Sequence, residues 1–360
     1  MRVLQLIDSL DAGGAERVAV NIANALSTKV KGSFLCTTRK EGLLKESLLQ
    51  EVGYLFLKKT KTIDLVAVKQ LYKFIKVNKI NIIHAHSTSF FLATLIKLLN
   101  PKIIVVWHDH YGDSEFLDTR RYVVLKWCSK FFNHIFSVNK SLQVWAIQML
   151  DFKKVCYLPN FATINNKLPI TNLKGAKKRR IICLANLRPQ KDHITLLDAF
   201  KEVLMEYPEW TLHLVGKDFN DNYSKAVREK IKMLSLKKSV YCYGSQPDIY
   251  NILQQCEIGV LSSKSEGLPI ALLEYGLANL AVIATKVGEC ETLIIDKVNG
   301  LLVSPSSPKA LAKALRAYVK NEEMRLVFAS NYNRHIEENF SEQLHVKTLL
   351  NIYKSYYKYT

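Results

Sequence analysis

Short aliphatic and β-branched runs alternate with stretches of helical period, and the alternation occurs twice along this chain. In the first series, strand-like runs fall at Arg2 to Asp8, Ser33 to Thr37, Tyr54 to Leu57, Ile80 to Ile83, Ile103 to Trp107 and Ile135 to Val138. Helical patterns lie between several of them: one through about Leu26, with Val18, Ile22, Ala25 and Leu26 on one face, and others at about 64–77, 89–99 and 119–133. The series restarts with strands at Arg180 to Leu184, Trp210 to Val215, Val240 to Tyr243, Ile258 to Ser262 and Ala281 to Ala284. Between these come helices at His193 to Tyr207, Tyr223 to Leu234, Asp248 to Gln255 and Ile270 to Leu277. Strands that are apolar throughout are buried on both faces, as in parallel sheets whose crossover helices cover both sides. The pattern predicts an α/β protein of two Rossmann-like doubly wound domains facing a cleft. Their expected limits are 1–165 and 180–340, joined by a polar linker at 166–179 that ends in basic residues. A C-terminal helix at 341–360 is expected to cross back to the first domain.

A chain of 360 residues is long enough for two domains, each with its own core. The longest apolar stretch, Phe90 to Leu99, is interrupted by Lys97 and is too short to span a bilayer. The amino terminus turns acidic at Asp8 and offers no small-residue cleavage site, so no signal peptide is expected. Seven cysteines without CxxC spacing fit a reducing cytosol and argue against a disulfide framework.

Charge narrows the partners. The net +19 is uneven, at +12 for residues 1–170 and +7 for the remainder. Such an excess suits an anionic partner: nucleic acid, an anionic membrane surface or a phosphorylated substrate. The first half concentrates Lys58, Lys59, Lys61, Lys69, Lys73, Lys76 and Lys79, then Arg120, Arg121, Lys126 and Lys130 among aromatics. Peripheral contact with an anionic membrane or a lipid pyrophosphate is expected there. No helix-turn-helix, finger or aromatic RNA-binding motif accompanies the charge, so no nucleic acid is expected as partner.

In doubly wound sheets, ligands bind at the carboxyl ends of the strands. After the first strand comes Asp11-Ala12-Gly13-Gly14, a glycine turn into a helix, which presents free N–H groups to an anion. It is not GxGxxG, so no dinucleotide cofactor is indicated. Ile83-His84-Ala85-His86 and Trp107-His108-Asp109-His110 bring histidines to the same edge. HxH in a strand places two imidazoles on one face, a possible metal pair, but no third ligand stands at a suggestive spacing. No metal is therefore expected. In the second series, Arg188 and Lys191 follow the first strand, and Ser262 to Glu274 follow a later one. The latter segment carries Glu266, a Gly267-Leu268-Pro269 turn and Glu274. Two cations beside two carboxylates fit a ligand holding both a diphosphate and hydroxyl groups, which describes a nucleotide sugar. With no DxD sequence to hold a metal, Lys and Arg would neutralise the leaving group themselves.

Taken together, these motifs resemble the retaining glycosyltransferases of family 4, the glycosyl transferases group 1 proteins of the GT-B fold. The resemblance rests on DAGGAER from Asp11 to Arg17, on His108 after IIVVW, on NLRPQKD from Asn186 to Asp192, and on SEGLPIALLE carrying Glu266 and Glu274. It implies that Arg188 and Lys191 hold the donor diphosphate and that Glu266, with the Gly267-Leu268-Pro269 turn and the N–H groups of Gly267 and Leu268, holds sugar hydroxyls. It further implies that Glu274 takes the ribose, Gly14 faces the phosphates, Gly244 lies near the base and His108 reaches the donor sugar. Retention by front-face attack, without a dedicated base or metal, is implied for transfer from a nucleotide sugar to a glycan acceptor, expected to be lipid-linked. A nucleotide-sugar 2-epimerase shares the same architecture and would act without an acceptor. The chain departs from the family pattern at Asn279-Leu280-Ala281, where Gly-x-Pro is usual, and at Lys286, Glu289, Cys290 and Glu291.

Overall fold

The computed structural model describes every residue except Ala12, 113–115, 165–168 and 358–360. Contacts divide the chain into two compact units, Met1–Phe161 with Glu342–Thr360, and Ala162–Ser341. The expected boundary at 165–166 and the first residues of the expected linker lie outside the described residues, as does Ala12 of the glycine loop.

The first unit is built on seven parallel strands: β1 (Arg2–Ser9), β2 (Gly32–Lys40), β3 (Gly53–Phe56), β4 (Ile82–His86), β5 (Ile104–Asp109), β6 (His134–Ser137) and β7 (Val155–Tyr157). Their order is β3-β2-β1-β4-β5-β6-β7. The chain thus winds outward one way from β1 and the other way from β4, and these two adjacent strands form the switch point where such sheets bind ligands. β4 and β5 are buried along their whole lengths, including the polar residues His84, His86, His108 and Asp109. The C-terminal helix Glu342–Tyr357 belongs to this unit. It buries Leu349 and Tyr353 completely, and the Tyr353 hydroxyl shares a 2.7 Å hydrogen bond with His84 Nδ1 on β4.

The second unit holds β8 (Arg180–Leu184), β9 (Thr211–Val215), β10 (Val240–Gly244), β11 (Ile258–Leu261), β12 (Ala281–Thr285) and β13 (Leu301–Val303), again all parallel. Their order, β10-β9-β8-β11-β12-β13, puts the switch point between β8 and β11. The core is aliphatic with a few large rings, among them Phe200, Trp210 and Tyr318.

Several details differ from the sequence expectation. The helix expected at 119–133 shrinks to Val123–Ser129. Arg120 leaves the helical track (φ −70°, ψ 120°), and its guanidinium grips Asp109 at 2.7 and 2.8 Å. β7 and β13 escaped notice because three residues are too few to show an alternation. The expected linker is partly structural: Asp248, buried, accepts hydrogen bonds from the Ile170 and Thr171 amides and the Thr171 hydroxyl at 2.7–2.8 Å. Arg180, last of the four basic residues, opens β8 and donates to the carbonyls of Leu173, Lys174 and Gly175. It is a buried scaffold residue and offers no charge to a polyanion.

Candidate functional site

In the second unit, the segments leaving the carboxyl ends of β8 and β11 meet. After β8 the chain forms a single tight turn, Pro189–Lys191, and Asp192 then takes a left-handed conformation (φ 48°). From there Asp192 caps the helix His193–Leu204 by accepting from the Thr195 amide. That turn aims Lys191 at the loop after β11, where Lys191 Nζ lies 2.6 Å from Glu266 Oε1. The Ser263 hydroxyl donates to the same carboxylate oxygen at 2.5 Å. Two cross-links fix the loops: the Ser262 hydroxyl donates to the Lys191 carbonyl at 2.9 Å, and the Lys264 amide to the Gln190 carbonyl at 2.7 Å. The Glu266 side chain is 6 % exposed and that of Lys191 22 %, so the ion pair is partly dry and strengthened accordingly.

Arg188 is exposed, and its guanidinium lies 4.6 Å from the centre of the Phe219 ring. Lys217 approaches the same ring at 5.1 Å. The ring therefore gathers two cations beside the Lys191 turn. Lys217 was not singled out in the sequence, although Val215-Gly216-Lys217 marks a strand end next to β8. Gly216 is required there: a Cβ would lie 2.1 Å from the Ala185 carbonyl oxygen, and its φ is +155°.

Glu274 lies on the helix Ile270–Leu277 that follows the buried Gly267-Leu268-Pro269 turn. Its neighbour Tyr275 locks that helix to the sheet. The Leu184 amide donates to the Tyr275 hydroxyl at 2.7 Å, and the hydroxyl donates to the Val260 carbonyl at 3.3 Å. Gly259 makes room for the ring, since a Cβ there would sit 2.5 Å from it. Gly244 ends β10 in a left-handed conformation (φ +65°) with open space around its Cβ position.

The segment Asn279 to Glu291, where the sequence departs from the family pattern, packs against the Glu266 loop. Asn279 adopts φ +58° after the helix, a conformation that asparagine tolerates next best after glycine. Gly288 (φ +51°) lies so close to Glu266 that a Cβ would meet the Glu266 carbonyl oxygen at 2.1 Å. The Glu289 amide donates to the Gly267 carbonyl at 3.0 Å.

In the first unit, Gly14 opens the helix Gly14–Ser27 and is exposed, with Gly13 as N-cap. Glu16 folds back over this turn, accepting from the Ser9 hydroxyl at 2.9 Å. His108 is wholly buried, and among the described residues neither ring nitrogen has a hydrogen-bond partner. The β4–β5 register sets His86 directly beside His108, so His84, His86 and His108 bring ligand-type nitrogens within 4.8 Å of one another. Spacing along the chain hid this third imidazole; strand pairing supplies it. His86 already bonds His110 at 3.0 Å through Nδ1 and Gln5 at 2.8 Å through Nε2, so a metal shared by all three would have to break one of these bonds. Burial, reinforced by neighbouring imidazoles, holds His84, His86 and His108 well below the ordinary value, and His110 falls to about 3.

With these arrangements in view, comparison with known proteins is decisive. Residues 12–165 match the model described as Glycosyltransferase Family 4, and residues 166–335 match Glycosyl transferases group 1. The chain belongs to the group 1, family 4 glycosyltransferases. An "Uncharacterized glycosyltransferase" of Haemophilus influenzae is 23 % identical over 91 % of this chain and 93 % of its own length. The UDP-Gal:alpha-D-GlcNAc-diphosphoundecaprenol alpha-1,3-galactosyltransferase of Escherichia coli is 24 % identical over 81 % and 79 %. Among solved structures, Anabaena HepE in complex with UDP and glucose superposes with a TM-score of 0.81 at 19 % identity, covering 99 % of this chain and all of that one. The sucrose-phosphate synthase of Thermosynechococcus elongatus gives 0.80 at 13 % identity, with full coverage of both chains. These likenesses establish the GT-B fold for this glycosyltransferase.

Proposed function

We propose that this glycosyltransferase moves a sugar from a nucleotide diphosphate sugar, with retention of anomeric configuration, to a lipid-linked glycan in the synthesis of a cell-surface polysaccharide. The observation that carries the donor half is the Lys191–Glu266 pair at 2.6 Å, with Arg188 and Lys217 gathered on Phe219 nearby. A diphosphate entering beside Lys191 competes with Glu266 for the ammonium and draws on two further cations. As the bond to the sugar breaks, negative charge grows on the departing diphosphate, and cations already in place stabilise it without reorganisation. Glu266, relieved of part of its pairing, accepts hydrogen bonds from sugar hydroxyls, while Glu274 faces the ribose. The cations make a resident metal unnecessary, so activity should survive EDTA.

Support for the acceptor half comes from named relatives. One acts on a diphosphoundecaprenol-linked sugar, and another from Escherichia coli is called an O-antigen biosynthesis glycosyltransferase. Membrane contact at the cytosolic face has a physical basis in the first unit. The helices Leu65–Val77, Phe90–Leu99 and Val123–Ser129 pack side by side in that order. Their outer faces expose Leu65, Val66, Leu99 and Val123 among Lys69, Lys73, Lys76 and Lys126. Lys59, buried, and Arg120, tied to Asp109, drop out of the expected basic surface. Among the described residues no helix is long and apolar enough to cross a membrane.

The test is transfer of labelled sugar by Lys191→Ala. Loss of its charge at the leaving group should lower kcat by roughly two to three orders of magnitude. Near-normal turnover would remove Lys191 from the reaction.

A further inference from the structure

A cavity of about 810 Å³ in the first unit has no part in the donor chemistry described above. It opens beside the carboxyl end of β5 and the helix Val123–Ser129. Phe90, Trp107, Tyr111, Tyr122 and Val124 supply most of its apolar wall. Its only carboxylate among the described lining residues, Asp109, is neutralised by Arg120 in a two-pronged ion pair. Arg120 is in turn held flat between rings, 4.0 Å from the centre of Trp145 and 4.4 Å from Tyr111. It lines the cavity with its charge already paired to Asp109. Arg121, also lining the cavity, is exposed, and Lys126 stands exposed on the following helix turn. At this edge Val123 is 79 % exposed, Val124 56 % and Trp127 47 %, an apolar rim that water solvates poorly. Aromatic walls, cations at the edge and no unpaired carboxylate suit a ligand with an apolar body and an anionic head.

We infer that this cavity receives the first isoprene units of a prenyl diphosphate, the lipid end of the acceptor, with the diphosphate at Arg121. The inference rests on the proposed lipid-linked acceptor and adds where that lipid is held. The unsaturated, branched chain packs against the ring faces of the wall, and burying it removes apolar surface from water on both sides. Arg121 meets the phosphate oxygens with a planar fork. A glycan presented without this lipid forfeits those contacts and should transfer poorly at equal concentration.

Tryptophan fluorescence of the full chain, titrated with farnesyl diphosphate below its micelle concentration, tests the site, because Trp107 lines it. Farnesyl diphosphate should bind saturably, and inorganic diphosphate should not. Gly112→Phe fills the cavity at a position whose Cβ meets nothing within 4 Å. That variant should abolish binding while keeping the wild-type Tm and nucleotide-sugar binding. Arg121→Ala should weaken binding by roughly tenfold through loss of a charge-assisted contact. Absence of farnesyl diphosphate binding by the wild type, or unchanged binding by Gly112→Phe, overturns the inference. Vesicles of phosphatidylglycerol without prenyl lipid separate the sources: if they block the titration as effectively as farnesyl diphosphate fills it, the cavity takes bilayer lipid instead. A wild type that glycosylates a prenyl-linked acceptor without binding farnesyl diphosphate loses this site but keeps the proposed function. A wild type that glycosylates only lipid-free glycans loses the lipid-linked reading itself.

Discussion

Gly288 shows how much a single backbone position decides in this molecule. Its φ of +51° and its 2.1 Å virtual Cβ contact with the Glu266 carbonyl leave no room for a side chain. Gly288→Ala should displace the loop that aims Glu266 and cost at least about 1 kcal/mol of stability. Activity should fall more steeply than Tm, a comparison that thermal unfolding and a transfer assay make together. Tyr275 is a second such residue, because its hydroxyl ties the ends of β8 and β11 to the helix carrying Glu274. Tyr275→Phe strands the Leu184 N–H and should destabilise by roughly 1–3 kcal/mol, measured by denaturant unfolding. Neither residue's role was legible in the sequence. Tyr275 lies inside an apolar helical run and Gly288 inside a short loop, and neither carries a sequence signal of its own. Arg188, Lys191 and Glu266 stand out in the sequence as charged residues following strand ends, and the fold brings Lys191 and Glu266 together. Lys217 was missed because its neighbour Phe219 gathers it towards Arg188 through the ring, a contact that no linear spacing encodes.

At the scale of elements, the alternation of strand and helix exposed the two sheets and left one edge of each unseen. β7 and β13 are too short to carry a pattern, and the helix after β5 was overread because Arg120 is drawn off to Asp109. The pairing of β4 with β5 had the largest unforeseen consequence: it assembles the buried His84, His86 and His108 with the half-buried His110 into one group. Burial depresses these imidazoles in the folded chain, while an unfolded chain protonates them near pH 6.5. Below that pH the unfolded state binds more protons, so stability is complete above about pH 6.5 and declines as the pH falls towards 4. Each such histidine steepens the loss by up to about 1.4 kcal/mol per pH unit. Tm measured from pH 7.5 to 5 should therefore drop, and His110→Gln should flatten the profile. A Tm independent of pH over that range would mean the histidines are hydrated and titrate normally.

For the whole molecule, the charge of +19 resolves into separate roles. Some cations are internal struts, such as Arg180 and Arg120; some gather around Phe219 on the loops after β8 and β9; and many stand on the three-helix face of the first unit. Only the last group should respond to a lipid surface. Vesicles containing phosphatidylglycerol should pull the protein down at low salt and release it as salt screens the attraction, whereas phosphatidylcholine vesicles should not. Replacing Lys69, Lys73 and Lys76 with Glu should abolish that binding and leave nucleotide-sugar affinity unchanged. The central claim is chemical, and one reaction tests it most directly. The protein, a panel of nucleotide diphosphate sugars and a prenyl-diphosphate-linked acceptor are incubated in EDTA, and the anomeric configuration of the product is read by proton NMR. An acceptor-dependent product that keeps the donor's configuration is expected; an inverted linkage, loss of activity in EDTA, or a new nucleotide-sugar isomer formed without acceptor would overturn the proposed function.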